Sequence, residues 1–135
     1  MKTVLVVDDN ENLLRSVTMA LRKQYTVLCA QDIATARNLF QENDVDVVVM
    51  DIVFPEREGG VDLARSFREI RKVPTLAISG YVTGLVMDLL PSVFDGYLQK
   101  PFTASELRQA INDVQDIFQF GRGGETQDPT SQAET

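Results

Sequence analysis

Histidine and tryptophan are absent from this 135-residue sequence, and cysteine occurs once, at Cys29. Without histidine, the sequence cannot supply a histidine general base, a Ser–His–Asp triad, histidine-ligated zinc or a phosphohistidine of its own. A single cysteine excludes an internal disulfide and a multi-cysteine metal site, which is typical of a reducing compartment. Cys29 stands in an apolar run, so we expect it to fill the core.

Positive charge is also scarce. The 13 Lys and Arg residues face 20 Asp and Glu residues, a net charge of −7 that argues against direct nucleic-acid binding. No run of 18 apolar residues occurs, and Asp8 and Asp9 interrupt the first apolar run before a signal-peptide core could form. Because 44% of the residues are hydrophobic, a core can form. We therefore expect a cytoplasmic, single-domain protein without membrane insertion.

Short β-branched runs alternate with amphipathic segments along the chain. Five strands are predicted, at residues 4–7, 26–30, 44–50, 74–78 and 96–99. Helical spacing predicts helices near residues 12–23, 32–40, 61–71, 83–94 and 103–118. This alternation favours an α/β fold with a doubly wound, five-stranded parallel sheet of flavodoxin-like order 2-1-3-4-5 and helices on both faces.

The segment boundaries follow from local signals. Asn10 and Asp32 are candidate helix N-caps, and Thr103 with Glu106 fits a capping box before the last helix. Residues 121–135 contain Gly, Ser, Thr, Gln and acidic residues without an apolar period. We therefore predict one domain over residues 1–120 and a disordered polar tail or linker stub over residues 121–135.

Polar residues follow four of the predicted strands: Asp8 and Asp9, then Asp51, Ser79 and Lys100. In an open α/β sheet, ligands bind beyond the carboxyl ends of the strands, near the switch in strand order. Three carboxylates gathered there repel one another unless a cation lies between them. An all-oxygen site suits Mg²⁺, with Mn²⁺ as a substitute ion. An aspartate, a cation, a lysine and a hydroxyl together meet the needs of phosphoryl transfer.

With these motifs in order, the sequence resembles the receiver domain of bacterial two-component response regulators, the CheY-like superfamily. The resemblance extends from about residue 1 to residue 118. It depends on the acidic pair Asp8-Asp9, the strand-3 aspartate Asp51, Pro55 and Gly59 in the next loop, Ser79-Gly80, Tyr97, and Lys100-Pro101-Phe102.

The resemblance implies a role for each matching residue. Asp51 would be the phosphoacceptor, and Asp8, Asp9, Asp51 and the backbone carbonyl of Val53 would hold Mg²⁺. Lys100 and Ser79 would contact the phosphoryl group, Ser79 and Tyr97 would form the switch, and the Lys100–Pro101 peptide would be cis. The chain would not be a classical enzyme, since it would catalyse only its own phosphorylation and dephosphorylation.

The resemblance also implies partners. A sensor histidine kinase or a histidine phosphotransfer protein would supply the phosphoryl group. A downstream protein or a second copy would bind the face formed by the fourth predicted helix, the fifth strand and the last helix. Helical periodicity makes Met87 and Phe94 candidates for outward-facing residues on that face, and the equal alternative is that Pro91 ends the helix early and the apolar residues cover the sheet edge.

Two departures from the family pattern stand out. The pair Gly59-Gly60 lengthens the loop after Asp51 by one residue, and Pro91 interrupts the fourth predicted helix.

Other interpretations of single residues remain open. Ser79-Gly80 is also ordinary turn chemistry, and Tyr97 is equally consistent with a half-buried strand residue. A flavodoxin-type FMN site is disfavoured because the acidic residues after the first strand would repel phosphate. A haloacid-dehalogenase-type phosphatase requires a second aspartate two residues after the nucleophile, where this chain has Val53. A pseudo-receiver that docks proteins without being phosphorylated is the main alternative.

Overall fold

The structure, a computed structural model, describes residues 1–52, 59–80, 88, 90 and 92–122. The strands in these residues are β1 (Lys2–Val7), β2 (Tyr25–Ala30), β3 (Val47–Asp51), β4 (Thr75–Ser79) and β5 (Gly96–Gln99). The helices are α1 (Glu11–Leu21), α2 (Ile33–Glu42), α3 (Gly59–Ile70) and α4 (Ala104–Asp116), and a π-helix (Ile117–Arg122) extends α4. The predicted helix at residues 83–94 falls largely outside the described residues.

The five strands form one parallel sheet in the order β2-β1-β3-β4-β5, which confirms the predicted fold class. Alternate residues of the strands point to opposite faces, and each face carries its own apolar cluster. Leu5, Val48 and Ala77 pack on one face with residues of α2 and α3. Val6 and Val49 pack on the other face with residues of α1 and α4. Because helices cover both faces, the central strands carry consecutive buried apolar residues at or just before their carboxyl ends, at Val4–Val7, Val47–Met50 and Leu76–Ile78.

The predicted caps begin three of the four helices in the described residues. The side chains of Asn10 and Asp32 accept hydrogen bonds from the main chains of Leu13 and Thr35 at the starts of α1 and α2. At the start of α4, Thr103 and Glu106 form both hydrogen bonds of the capping box. Such caps satisfy main-chain donors that lack a partner within the helix, so they fix where each helix begins.

Two predictions about side-chain exposure are wrong. Cys29 is exposed rather than buried, because β2 is an edge strand whose outer face is only partly covered. Phe94 is fully buried, because residues 92–95 form a turn ahead of β5 and not a helix whose phase would direct it outward. Met87 lies outside the described residues. Among the described residues, no helix is long and apolar enough to cross a membrane.

Candidate functional site

The parallel register brings the polar strand ends together at one edge of the sheet. Val7 pairs with Met50, so Asp8, the next residue after β1, lies beside Asp51 at the end of β3. Ser79 ends β4, and the main-chain N–H of Lys100 donates to the carbonyl of Ser79 at 2.7 Å. The acidic residues and the lysine therefore lie together, as expected for the carboxyl ends of parallel strands.

Three carboxylates form the centre of this edge. One oxygen each from Asp8, Asp9 and Asp51 lies within 4.8 Å of the other two. Asp8 is fully buried and Asp51 is 4% exposed, whereas Asp9 is exposed. The main-chain N–H of Asn10 donates to Asp8 Oδ1 at 2.8 Å, so the turn into α1 orients that carboxylate.

This donor set fits Mg²⁺. All of its candidate ligand atoms are carboxylate oxygens, the type that this ion prefers. Asp9 is exposed, so the cluster is open to solvent on its side, and Mg²⁺ usually retains several water ligands. Val53, the fourth residue assigned to this ion, lies outside the described residues.

Lys100 extends into the carboxylate cluster. Its Nζ lies 2.8 Å from Asp8 Oδ2 and 3.4 Å from Asp51 Oδ2, and the side chain is 24% exposed. Burial by itself would lower the pKa of Lys100. The hydrogen bond to Asp8 and the charges of Asp51 and Asp8 outweigh burial and raise this pKa above its ordinary value. The lysine is therefore positively charged at neutral pH, and it is held between two of the three carboxylates.

Ser79 and Tyr97 lie on the neighbouring strands β4 and β5. Ser79 is buried, with 1% of its surface exposed, and Tyr97 is half-buried. The Tyr97 hydroxyl donates a long hydrogen bond of 3.4 Å to the main-chain carbonyl of Ser79. Burial raises the pKa of the Tyr97 phenol. The two residues assigned to a switch are therefore in direct contact.

Two further features border the site. The peptide bond between Lys100 and Pro101 is cis. Gly60, in the first turn of α3, packs against the main chain of Asp51 so closely that a β-carbon there would overlap it. Sequence reasoning noted Gly59-Gly60 only as a lengthened loop. A glycine pair at a helix start was the available signal for such a close approach.

The fold and this acidic edge define a class of protein. The sequence matches the family model described as "Response regulator receiver domain" over residues 4–112. The chain belongs to the response regulator receiver domain family. Domains of this family are signalling switches in two-component systems, typically use Mg²⁺, and interact with histidine kinases.

Comparison with known proteins agrees with this membership. The chain is 32% identical over 113 residues to "Autoinducer 1 sensor kinase/phosphatase LuxN" of Vibrio harveyi; the match covers 82% of this chain but 13% of that protein. Its fold is similar to that of the chemotaxis protein CheY4 of Vibrio cholerae, at a TM-score of 0.79 and 25% identity, covering 84% of this chain and 98% of that one. A receiver domain protein of Clostridium thermocellum gives a TM-score of 0.79 at 25% identity, covering 89% and 98%.

Proposed function

We propose that this chain is a phosphorylatable receiver that accepts a phosphoryl group on Asp51 in a Mg²⁺-dependent reaction. The observation that supports this most directly is the position of Lys100, whose ammonium contacts both Asp8 and Asp51 beside a third carboxylate, Asp9. A nucleophilic aspartate, an oxygen-only cation site and a fixed ammonium are the parts that phosphoryl transfer to a carboxylate requires.

The phosphoryl donor is the phosphohistidine of a sensor kinase or of a histidine phosphotransfer protein. This sequence contains no histidine, so the donor lies outside it. A carboxylate oxygen of Asp51 forms a bond to phosphorus, the P–N bond of the phosphohistidine breaks, and its electron pair returns to the imidazole nitrogen. The products are an aspartyl phosphate and a free histidine.

The residues around Asp51 have separate tasks in this step. Asp8, Asp9 and Asp51 would hold Mg²⁺, which when bound offsets negative charge on the phosphoryl oxygens. Lys100 is already within 3.4 Å of Asp51 and offers a second positive charge to the same oxygens. Ser79, buried at the end of β4, offers a hydroxyl to the phosphorylated product.

The signal leaves through Ser79 and Tyr97. Their contact connects β4, which carries a site residue, to the outermost strand β5. A movement of Ser79 towards the phosphoryl group would therefore change the position of Tyr97. Phosphorylation then shifts an existing equilibrium towards the form that a downstream protein or a second copy binds. Most residues of the fourth predicted helix of that binding face, Met87 among them, lie outside the described residues.

The test is phosphorylation of the purified chain by acetyl phosphate, measured by intact-protein mass spectrometry with and without Mg²⁺. We expect one phosphoryl group in the presence of Mg²⁺ and none after Asp51→Asn, since the amide retains the volume of the carboxylate but is not a nucleophile. Asp32→Asn is the matched control, because Asp32 is an exposed aspartate near the same edge of the sheet that caps α2 and is not part of the carboxylate cluster, and asparagine caps equally well.

A wild-type chain that stays unmodified with Mg²⁺ would favour the pseudo-receiver. Equal modification of wild type and Asp51→Asn would mean that another residue is the acceptor.

A further inference from the structure

Two adjacent glycines begin α3, and they meet different requirements. Gly59 has a φ of +72°, the left-handed region that favours glycine, and a β-carbon built there meets nothing within 4 Å. Gly60 has no such torsion. A β-carbon on Gly60 would instead overlap the carbonyl oxygen of Asp51 and lie 2.9 Å from the Cα of Ile52. Gly59 therefore permits the backbone turn into α3, while Gly60 permits the first turn of α3 to lie close to the main chain at the end of β3.

The atoms that Gly60 approaches cannot easily move. They belong to the main chain at the end of β3, where Asp51 pairs with Ile78 of β4 and the N–H of Ile52 donates to the Ile78 carbonyl at 3.2 Å. A long side chain in their place could rotate away, but these main-chain atoms can move only together with the strand end that carries them. A side chain at position 60 would therefore displace either the first turn of α3 or the residue that ends β3.

We propose that Gly60 is a positioning residue for Asp51, an inference that rests on the proposed function. By letting the first turn of α3 lie directly against the Asp51 main chain, Gly60 fixes the Asp51 carboxylate relative to Asp8 and Lys100. The contact between Lys100 Nζ and Asp51 Oδ2 is already 3.4 Å long, so a small shift of the strand end breaks it. Gly60 touches no reacting atom and acts only through Asp51.

Gly96 provides a matched control within the same chain. A β-carbon on Gly96 would lie 2.6 Å from Cγ1 of Val114 and 3.6 Å from Cδ1 of Leu76. It is thus a second close-packed glycine, but it begins β5 and contacts the apolar cluster under α4. Four residues of extended chain, about 13 Å, separate it from Lys100. Gly60→Ala and Gly96→Ala both add one methyl group to a tight contact, and only the first contact includes Asp51.

The experiment compares wild type, Gly60→Ala and Gly96→Ala in three measurements: unfolding by urea without Mg²⁺, the Mg²⁺ dissociation constant by calorimetric titration, and the rate of acyl-phosphate formation from acetyl phosphate. We expect both variants to be less stable than wild type. Only Gly60→Ala should also bind Mg²⁺ more weakly and react more slowly, each by about 10- to 100-fold, the range seen when groups that orient metal ligands are altered.

The outcomes distinguish failure of this inference from failure of the proposed function on which it rests. If wild type neither binds Mg²⁺ nor becomes phosphorylated, the proposed function fails. If wild type does both and Gly60→Ala matches Gly96→Ala in Mg²⁺ affinity and rate, Gly60 is a packing residue only and the inference is overturned.

A second pair of variants applies if Gly60→Ala does not fold. Val61→Ala weakens the packing of the first turn of α3 without adding atoms, because the Val61 side chain packs against the apolar cluster under α3. Val73→Ala removes the same two methyl groups from that cluster at the amino end of β4. Weaker Mg²⁺ binding by Val61→Ala than by Val73→Ala supports the inference, and equal binding contradicts it.

Discussion

At the carboxyl ends of the strands Lys100 contacts Asp8 and Asp51, whereas at the amino ends Arg68 of α3 contacts Asp95. In both places a partly buried cation contacts a fully buried carboxylate, that of Asp8 or of Asp95. They differ in the groups that meet there. At the amino ends the Arg68 guanidinium meets the Asp95 carboxylate. At the carboxyl ends three carboxylates lie together, and among the described residues Lys100 is the cation that contacts two of them.

Hydrogen bonding reinforces this difference. Asp95 Oδ2 accepts from Arg68 at 3.3 Å and from the main-chain N–H of Thr75 at 2.9 Å, and Arg68 Nε donates to the Val93 carbonyl at 2.8 Å. The Arg68–Asp95 pair thus connects α3 to the turn before β5 directly and to the start of β4 through Asp95. This network makes the amino-end pair a structural contact between elements, whereas the gathering of three carboxylates makes the carboxyl-end cluster a candidate cation site.

The largest expected effect comes from breaking the Arg68–Asp95 contact. Arg68→Ala leaves Asp95 buried without its cation, and we expect the free energy of unfolding to fall by about 3–5 kcal/mol. Urea unfolding without Mg²⁺ measures this change. Arg65→Ala in the same helix is the control, because its pair with Asp62 is more than half exposed and should contribute about 0.5 kcal/mol or less.

Adding Asp95→Asn to Arg68→Ala should recover part of the stability by removing the buried negative charge that Arg68 no longer contacts. A loss no greater than that of Arg65→Ala would show that the Arg68–Asp95 and Arg65–Asp62 pairs are equivalent, contrary to this account.

A smaller effect is expected from Mg²⁺ at the acidic cluster. An ion that binds only the folded chain stabilises it by about 2.7 kcal/mol at about 100 times its dissociation constant. Thermal unfolding should therefore shift upward by several degrees in wild type and in Arg68→Ala, but not in Asp8→Asn, which lacks a buried ligand. Asp32→Asn should respond like wild type. An unchanged melting temperature in wild type, or a normal shift in Asp8→Asn, would remove the distinction between the two ends.

The smallest effect is expected at alkaline pH. Because the folded chain raises the pKa of Lys100, the stability from its charge is complete below the ordinary value of 10.5 and is lost as pH rises through the higher folded value. Without Mg²⁺, the free energy of unfolding should fall over this range more in wild type than in Lys100→Arg, whose guanidinium stays charged. The raised pKa of Tyr97 also makes the free energy of unfolding fall at alkaline pH. It does so equally in both proteins, so it does not affect the difference between them. Parallel pH profiles would contradict the role given to Lys100.

Much of this molecule could be predicted from its sequence because the signals are local or strictly periodic. The β-branched runs predicted the five strands, and the caps at Asn10, Asp32 and Thr103 predicted three helix starts. The carboxyl ends of parallel strands necessarily lie on the same side of the sheet. The site residues at those ends followed from the same rule.

Other features depend on contacts between distant segments. Arg68 and Asp95 are 27 positions apart, and their pairing requires the rotation of α3 against the turn before β5. The exposure of Cys29 depends on how far α1 covers the edge strand, and the close approach of Gly60 depends on where α3 rests on β3. No local pattern carries that information.

The most direct test of the central claim is to locate the phosphoryl group. After reaction with acetyl phosphate and Mg²⁺, borohydride reduces an aspartyl phosphate to homoserine, and peptide mass spectrometry identifies the converted residue. We predict homoserine at position 51 and unmodified aspartate at positions 8 and 9, with no conversion when Mg²⁺ is omitted. Conversion at Asp8 or Asp9, or equal conversion at Asp51 without Mg²⁺, would contradict the assignment of acceptor and metal ligands.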